Sequence, residues 1–157
     1  MKQSWKIYAF WIILSEAVGA VSGWFSREGT AFFGETAVQP PLSPPAILFP
    51  IVWTVLYALM GFSAARVSMT AASPERSLGL NLFVAQLIVN FFWSLIFFNA
   101  RAYGFALLWL VLLFLLVLWM TLEFRKADPL AALLQIPYLL WLAFAAYLNY
   151  GVWLLTC

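Results

Sequence analysis

Histidine is absent from this chain, and its only cysteine is Cys157. Those absences remove much chemistry. Ser-His-Asp and Cys-His catalysis need an imidazole base and cannot operate here. His-rich zinc sites and a His-ligated haem fall on the same ground, so no metal site is expected. A single cysteine forms no disulfide within the chain, so cysteine usage says nothing about redox compartment. Charge is scarce as well. Only 9% of residues are charged and the net charge is +2, which gives no basic field for nucleic acid.

What is plentiful is apolar surface, at 66% of the 157 residues. Soluble domains run at about 45–50% apolar and about 25% charged. A water-soluble chain of this length has no interior large enough for so much apolar surface, so its solvent is lipid. The length suits one domain, residues 1–157. A spanning helix needs roughly 20 mostly apolar residues. Five stretches qualify, at about 5–25, 46–67, 78–98, 102–124 and 130–155. The expected fold class is all-α, an integral membrane bundle of five transmembrane helices. The first stretch carries Lys2 and Lys6, yet it runs apolar too long for a cleaved leader and lacks a clear A-x-A exit. It is expected to stay as an anchor.

The breaks are turn-like. Ser73-Pro74-Glu75-Arg76 parts the second and third segments, and Arg125-Lys126-Ala127-Asp128-Pro129 parts the fourth and fifth. Asn99-Ala100-Arg101 is so short that the third and fourth must be antiparallel neighbours. The first connection, 26–45, is long and ends in Gln39-Pro40-Pro41-Leu42-Ser43-Pro44-Pro45. A loop of that length without regular structure is usually functional or disordered. Its prolines stiffen it, and it is expected to act as a lid over one end of the bundle. Lys2, Lys6, Arg66, Arg76, Arg125 and Lys126 fall on one side of the membrane, against Arg27 and Arg101 on the other. The positive-inside rule then predicts a cytoplasmic N-terminus, an outside C-terminus and a bacterial cell membrane. Trp5, Trp24 and Trp153 fall near segment ends, as an aromatic belt requires.

A few polar residues interrupt the apolar runs. Glu16 falls near mid-membrane, where a charge is costly and an acid is a functional candidate by default. The plainer reading is a protonated Glu bonded to a neighbouring helix. Gln86, Asn90 and Trp93 share one face of the third segment at i, i+4 and i+7. With Asn149 they read either as interhelical glue or as polar contacts in a ligand cavity. Gly19 and Gly23 form a GxxxG motif, which lets two backbones approach, within the chain or between copies. Ala143, Ala145 and Ala146 leave similar room on the fifth segment. Pro50 and Pro137 are expected to kink their helices, or less simply to free a carbonyl for a ligand.

Some of these residues resemble a known family. Pro44-Pro45, Phe49-Pro50-Ile51-Val52-Trp53, Leu56-Tyr57 and Met60-Gly61 are similar to the second-helix signature of the TspO/translocator protein family, the tryptophan-rich sensory proteins. Gln86-Leu87, Asn90, Trp93 and Phe97-Phe98 resemble its third helix. Ile136-Pro137-Tyr138-Leu139, Trp141-Leu142-Ala143-Phe144, Leu148-Asn149-Tyr150 and Trp153 resemble its fifth. The resemblance implies five transmembrane helices, frequent homodimers, and binding of porphyrins such as protoporphyrin IX, sterols or benzodiazepine-type drugs. It implies no required cofactor. It places the pocket beneath the first loop, walled by Gly23, Phe49, Val52, Trp53, Tyr57, Asn90, Phe105, Leu112, Trp141, Ala145 and Leu148. Aromatic faces and small residues suit a flat apolar plate.

The chain also departs from the family pattern. Phe33-Gly34, Ala37, Gln39-Pro40 and Leu42 replace the usual lid residues, Leu42 standing where the family has Trp. No basic residue follows Tyr150, so the proposed sterol pattern is incomplete and cholesterol is not the expected ligand. Glu16 is not a family feature. The expected function is binding of a tetrapyrrole or similar apolar molecule as sensor, carrier or scavenger, with membrane lipid and a second copy as partners. The alternative is light-dependent porphyrin degradation through Trp53 and Trp141, against which Leu42 counts. A small proton-coupled transporter built on Glu16 is the further alternative, and a subunit with no ligand is the last.

Overall fold

In lipid a lone segment can satisfy its backbone only as a helix. The computed structural model describes residues 3–156, and among them the regular elements are all helical. Lys2 and Cys157, used above for charge bias and cysteine chemistry, lie outside the described residues. The helices are α1 (Ser4–Phe25), α2 (Arg27–Thr36), α3 (Leu48–Ser68), α4 (Pro74–Ser94), α5 (Tyr103–Ala127), α6 (Pro129–Leu133) and α7 (Ile136–Thr156). Five spans are long and apolar enough to cross a membrane: α1, α3, α4 with its π-helical end Leu95–Asn99, α5, and α6 with α7. The chain is an integral membrane bundle of five spans, as the sequence predicts.

Four local expectations need correction. The first connection is not free of regular structure, because Arg27–Thr36 is helical. Pro74, Glu75 and Arg76 are not a loop. They form the first turn of α4, capped by Ser73, whose hydroxyl accepts the Arg76 amide at 3.0 Å. The fifth span is not continuous. Pro137 cannot donate a backbone hydrogen bond and its ring crowds the carbonyl four residues back, so α6 stops at Leu133 and α7 starts at Ile136. Pro50 kinks nothing, since it sits in the first turn of α3, where its missing N–H has no partner to lose.

The helices α1 and α3 pack along their length, as do α4 and α5, and α5 carries α7 on its other side. Gly61 of α3 lies against the backbone of Trp11 and Ile12, and Gly19 of α1 lies against the Tyr57 ring. A Cβ at either glycine would collide with its neighbour, so these two residues set how closely α1 and α3 approach. The partner of Gly19 is therefore within the chain.

One end of the bundle is tied tightly. Ser63 of α3 donates to the Ala131 carbonyl of α6 at 2.7 Å, and Arg66 pairs with Asp128 at 2.7 Å. Asp128 also caps α6 by accepting from the Leu130 amide at 3.2 Å. Beyond α6 the backbones of α3 and α7 barely meet. That divergence makes room between them at the opposite end. Trp5 and Trp24 are 64% and 62% exposed, which places them on the lipid side as belt residues.

Candidate functional site

The room between α3 and α7 is a cavity of about 480 Å³, within the range of small-molecule sites. Four spans wall it. Gly23 faces it from α1, Phe49, Trp53 and Tyr57 from α3, Asn90 from α4, and Trp141, Ala145 and Leu148 from α7. These eight of the predicted wall residues are brought together. Three are not. Phe105 and Leu112 are 52% and 43% exposed on the outer side of α5, and Val52 packs half-buried against the core. The residues that α5 turns inward are Leu110 and Leu113, on the opposite side of the helix. Periodicity cannot choose between those sides, because α5 is apolar all round and lipid accepts either face.

The floor is a buried hydrogen-bond chain. Tyr57 Oη donates to Asn90 Oδ1 at 2.5 Å, and Asn90 Nδ2 donates to Tyr138 Oη at 2.7 Å. Tyr138 Oη donates onward to Gln86 Oε1 at 2.7 Å, and Gln86 Nε2 reaches Met60 Sδ at 3.9 Å. Higher up, Trp93 Nε1 donates to Asn149 Oδ1 at 3.2 Å, and Asn149 Nδ2 to the Tyr103 carbonyl at 2.8 Å. The polar face of α4 is thus interhelical glue, although Asn90 and Trp93 also line the cavity. Sequence spacing found this face. It gave no sign of Tyr138, the link between Asn90 and Gln86.

Aromatic rings make the upper walls. Phe49 and Trp141 meet edge-on at 5.7 Å between centroids, and Trp53 lies 5.5 Å from Tyr57. Trp93 stacks on Phe97 at 5.0 Å. Such rings offer flat faces to a flat ligand. Glu16 also lines the cavity, half-buried beside Gly19. No hydrogen-bond or ion-pair partner reaches its carboxylate among the described residues, which sets aside the plainer reading of a Glu bonded to a neighbouring helix.

The lid is α2 followed by an extended strap. Helix α2 turns off α1 at Ser26, whose hydroxyl donates to the Ser22 carbonyl at 2.8 Å. Gly29 seats α2 against the end of α4, and Asn99 Nδ2 donates to the Phe25 carbonyl at 2.9 Å. Arg101, at φ 53°, lays its guanidinium 3.8 Å from the Phe32 ring centre. The strap crosses the mouth with Gln39, Pro40 and Ser43 facing in. Tyr147 Oη holds it by donating to the Pro41 carbonyl at 2.6 Å, and Pro40 packs on Gly151. Leu42 points away: it is 81% exposed and absent from the cavity wall.

Comparison with known proteins gives the chain's relatives. The sequence model of the TspO/MBR family matches residues 11–154. The tryptophan-rich protein TspO of Chlorobaculum tepidum is 37% identical over 145 residues, covering 92% of each chain. Protein CrtK of Rhodobacter capsulatus is 36% identical over 154 residues, covering 98% of this chain and 94% of that one. The translocator protein of Homo sapiens is 38% identical over 117 residues, covering 73% and 69%.

Proposed function

Because this chain belongs to the TspO/MBR family, we propose that its cavity binds a flat, mostly apolar tetrapyrrole such as protoporphyrin IX. Family membership supports a membrane protein of sensory or binding type. The finer reading rests on one observation: the cavity pairs aromatic walls from α3 and α7 with small residues, Gly23 and Ala145, that leave a slot between them. Burying a large ring system against such walls supplies the favourable energy, while the saturated floor chain competes little for it. The protein acts in this reading as sensor, carrier or scavenger, as a homodimer, in a bacterial cell membrane with its N-terminus cytoplasmic.

A second reading, light-driven porphyrin degradation, draws support from Trp53 and Trp141 both facing the cavity. The position of the missing lid tryptophan faces outward here, so Leu42 counts less against this reading than its sequence position suggests. Proton-coupled transport has less support. Glu16 is the only charged side chain lining the cavity among the described residues, so it has no second charged partner there.

The test is a titration of detergent-purified protein with protoporphyrin IX in the dark, following tryptophan fluorescence and the porphyrin band. Saturable binding weakened by both Trp141→Phe and Ala145→Phe is expected. Saturable binding that neither variant changes, or no saturable binding to a helical protein, would overturn the proposal. The same samples under light separate the readings: a degrading enzyme bleaches the porphyrin with dependence on Trp53 and Trp141, and a binder only shifts its spectrum.

A further inference from the structure

Two polar groups on residues of the cavity wall stand out among those that no bond within the protein uses. One is the Glu16 carboxylate on α1, twelve residues into the helix and so about 18 Å from its start, near mid-membrane. The other is the Trp141 indole N–H on α7, which is buried and has no acceptor. Most other polar groups on the wall are bonded; the Trp53 N–H, the Ser94 hydroxyl and the Gln39 amide are not, and none of these is a buried orphan. Trp93 and Trp109 give their N–H to Asn149 and to the Val89 carbonyl. Tyr57, Asn90 and Tyr138 bond one another. The remaining orphaned groups, the Gln135 amide and Arg76 Nε, lie outside the cavity wall. An unpaired acid at this depth and an unpaired buried N–H are both costly. Both residues line the cavity, Glu16 from α1 and Trp141 from α7.

We infer that the deep end of the cavity is built for a planar aromatic ligand carrying a hydrogen-bond-donating nitrogen, cationic or pyrrolic, which meets Glu16. This rests on the cavity being the ligand site, as read above, and adds what that reading lacks, a chemical polarity. The carboxylate accepts from the ligand nitrogen, and a charge-assisted bond in a dry cavity is stronger than a neutral one. A ligand's own carboxylates turn away from Glu16, toward the lid, because like charges repel. The polarity follows from the Glu16 carboxylate, the one charged group on the wall among the described residues, whose bonding capacity nothing else uses.

The probes are 9-aminoacridine, a flat cation at neutral pH, and anthracene, the same three-ring skeleton without nitrogen. Both are titrated by fluorescence into detergent-purified full-length protein. Glu16→Gln is expected to weaken 9-aminoacridine by ~10-fold or more, the size of a lost charge-assisted bond, and to leave anthracene unchanged. Glu16→Asp, which keeps the charge, should retain a preference for the amine that Glu16→Gln lacks. Ala145→Phe should weaken both probes by filling the slot, and circular dichroism checks that each variant is helical. Equal effects of Glu16→Gln on the two probes, no effect on either, or no saturable amine binding to the unaltered protein would each overturn the inference. Protoporphyrin IX, titrated in parallel, separates the two proposals. Amine selectivity without porphyrin binding sinks the tetrapyrrole reading alone, and porphyrin binding without amine selectivity sinks only this one.

Discussion

Replacing Asn90 with leucine keeps the branched shape and the number of side-chain heavy atoms and removes the centre of the floor chain. Asn90 is 4% exposed, and it accepts from Tyr57 at 2.5 Å and donates to Tyr138 at 2.7 Å. Tyr138 keeps its bond to Gln86 at 2.7 Å, so it loses one of two partners. Tyr57 loses its only hydrogen-bond acceptor among the described residues, and it is 6% exposed. A buried hydroxyl left without a partner costs about 1–3 kcal/mol. An interhelical hydrogen bond in a membrane protein contributes about 0.6 kcal/mol on average. The expected destabilisation is therefore about 2–3 kcal/mol, dominated by the stranded Tyr57 hydroxyl. Tyr57→Phe alone removes the hydroxyl and should cost about 1 kcal/mol. In the double variant nothing is stranded at that link, so the combined cost should fall short of the sum by about 1 kcal/mol. The assay is reversible unfolding in mixed detergent micelles as SDS is raised, read by tryptophan fluorescence and helicity. A loss below about 0.5 kcal/mol for Asn90→Leu, or strict additivity in the cycle, would refute the stranded-hydroxyl account.

Two further changes test the helix contacts and the lid. Gly61→Ala places a methyl group on the backbone of Ile12 and should cost about 1–3 kcal/mol by overpacking, whereas Gly23→Ala meets nothing and should cost nothing. Thermal unfolding in detergent compares them, and equal melting temperatures would contradict the close approach of α1 and α3. Tyr147→Phe removes the bond that holds the strap to α7, a loss of about 1 kcal/mol. Hydrogen exchange across 37–45 should speed up with little change in the rest of the bundle, and unaltered exchange there would mean that Tyr147 does not hold the lid.

Much of the membrane architecture is legible in the residues themselves. Backbone satisfaction in lipid leaves little choice but helices, so apolar run length alone locates the five spans, and turn residues bound them. The polar face of α4 is legible for the same reason, since an amide in lipid must turn inward to find a partner. The GxxxG pair shows that something approaches α1 closely, and the resemblance brings eight of the eleven expected wall residues to one cavity.

What the tertiary structure decides is which apolar face is inside. In a soluble helix the contrast between polar and apolar sides marks the buried face. In lipid both sides are apolar and the contrast vanishes, so Phe105 and Leu112 are indistinguishable in sequence from Leu110 and Leu113. The same loss of contrast hides the partner of Asn90, because Tyr138 reads as one more aromatic in an apolar run. The direction of Leu42 and the attachment of the strap to Tyr147 depend on a loop path that no periodicity encodes. Counting residues places Glu16 near the middle of α1. That its carboxylate lines the cavity without a partner depends on how α1 is set against α3 and α4. Only the packed bundle fixes that.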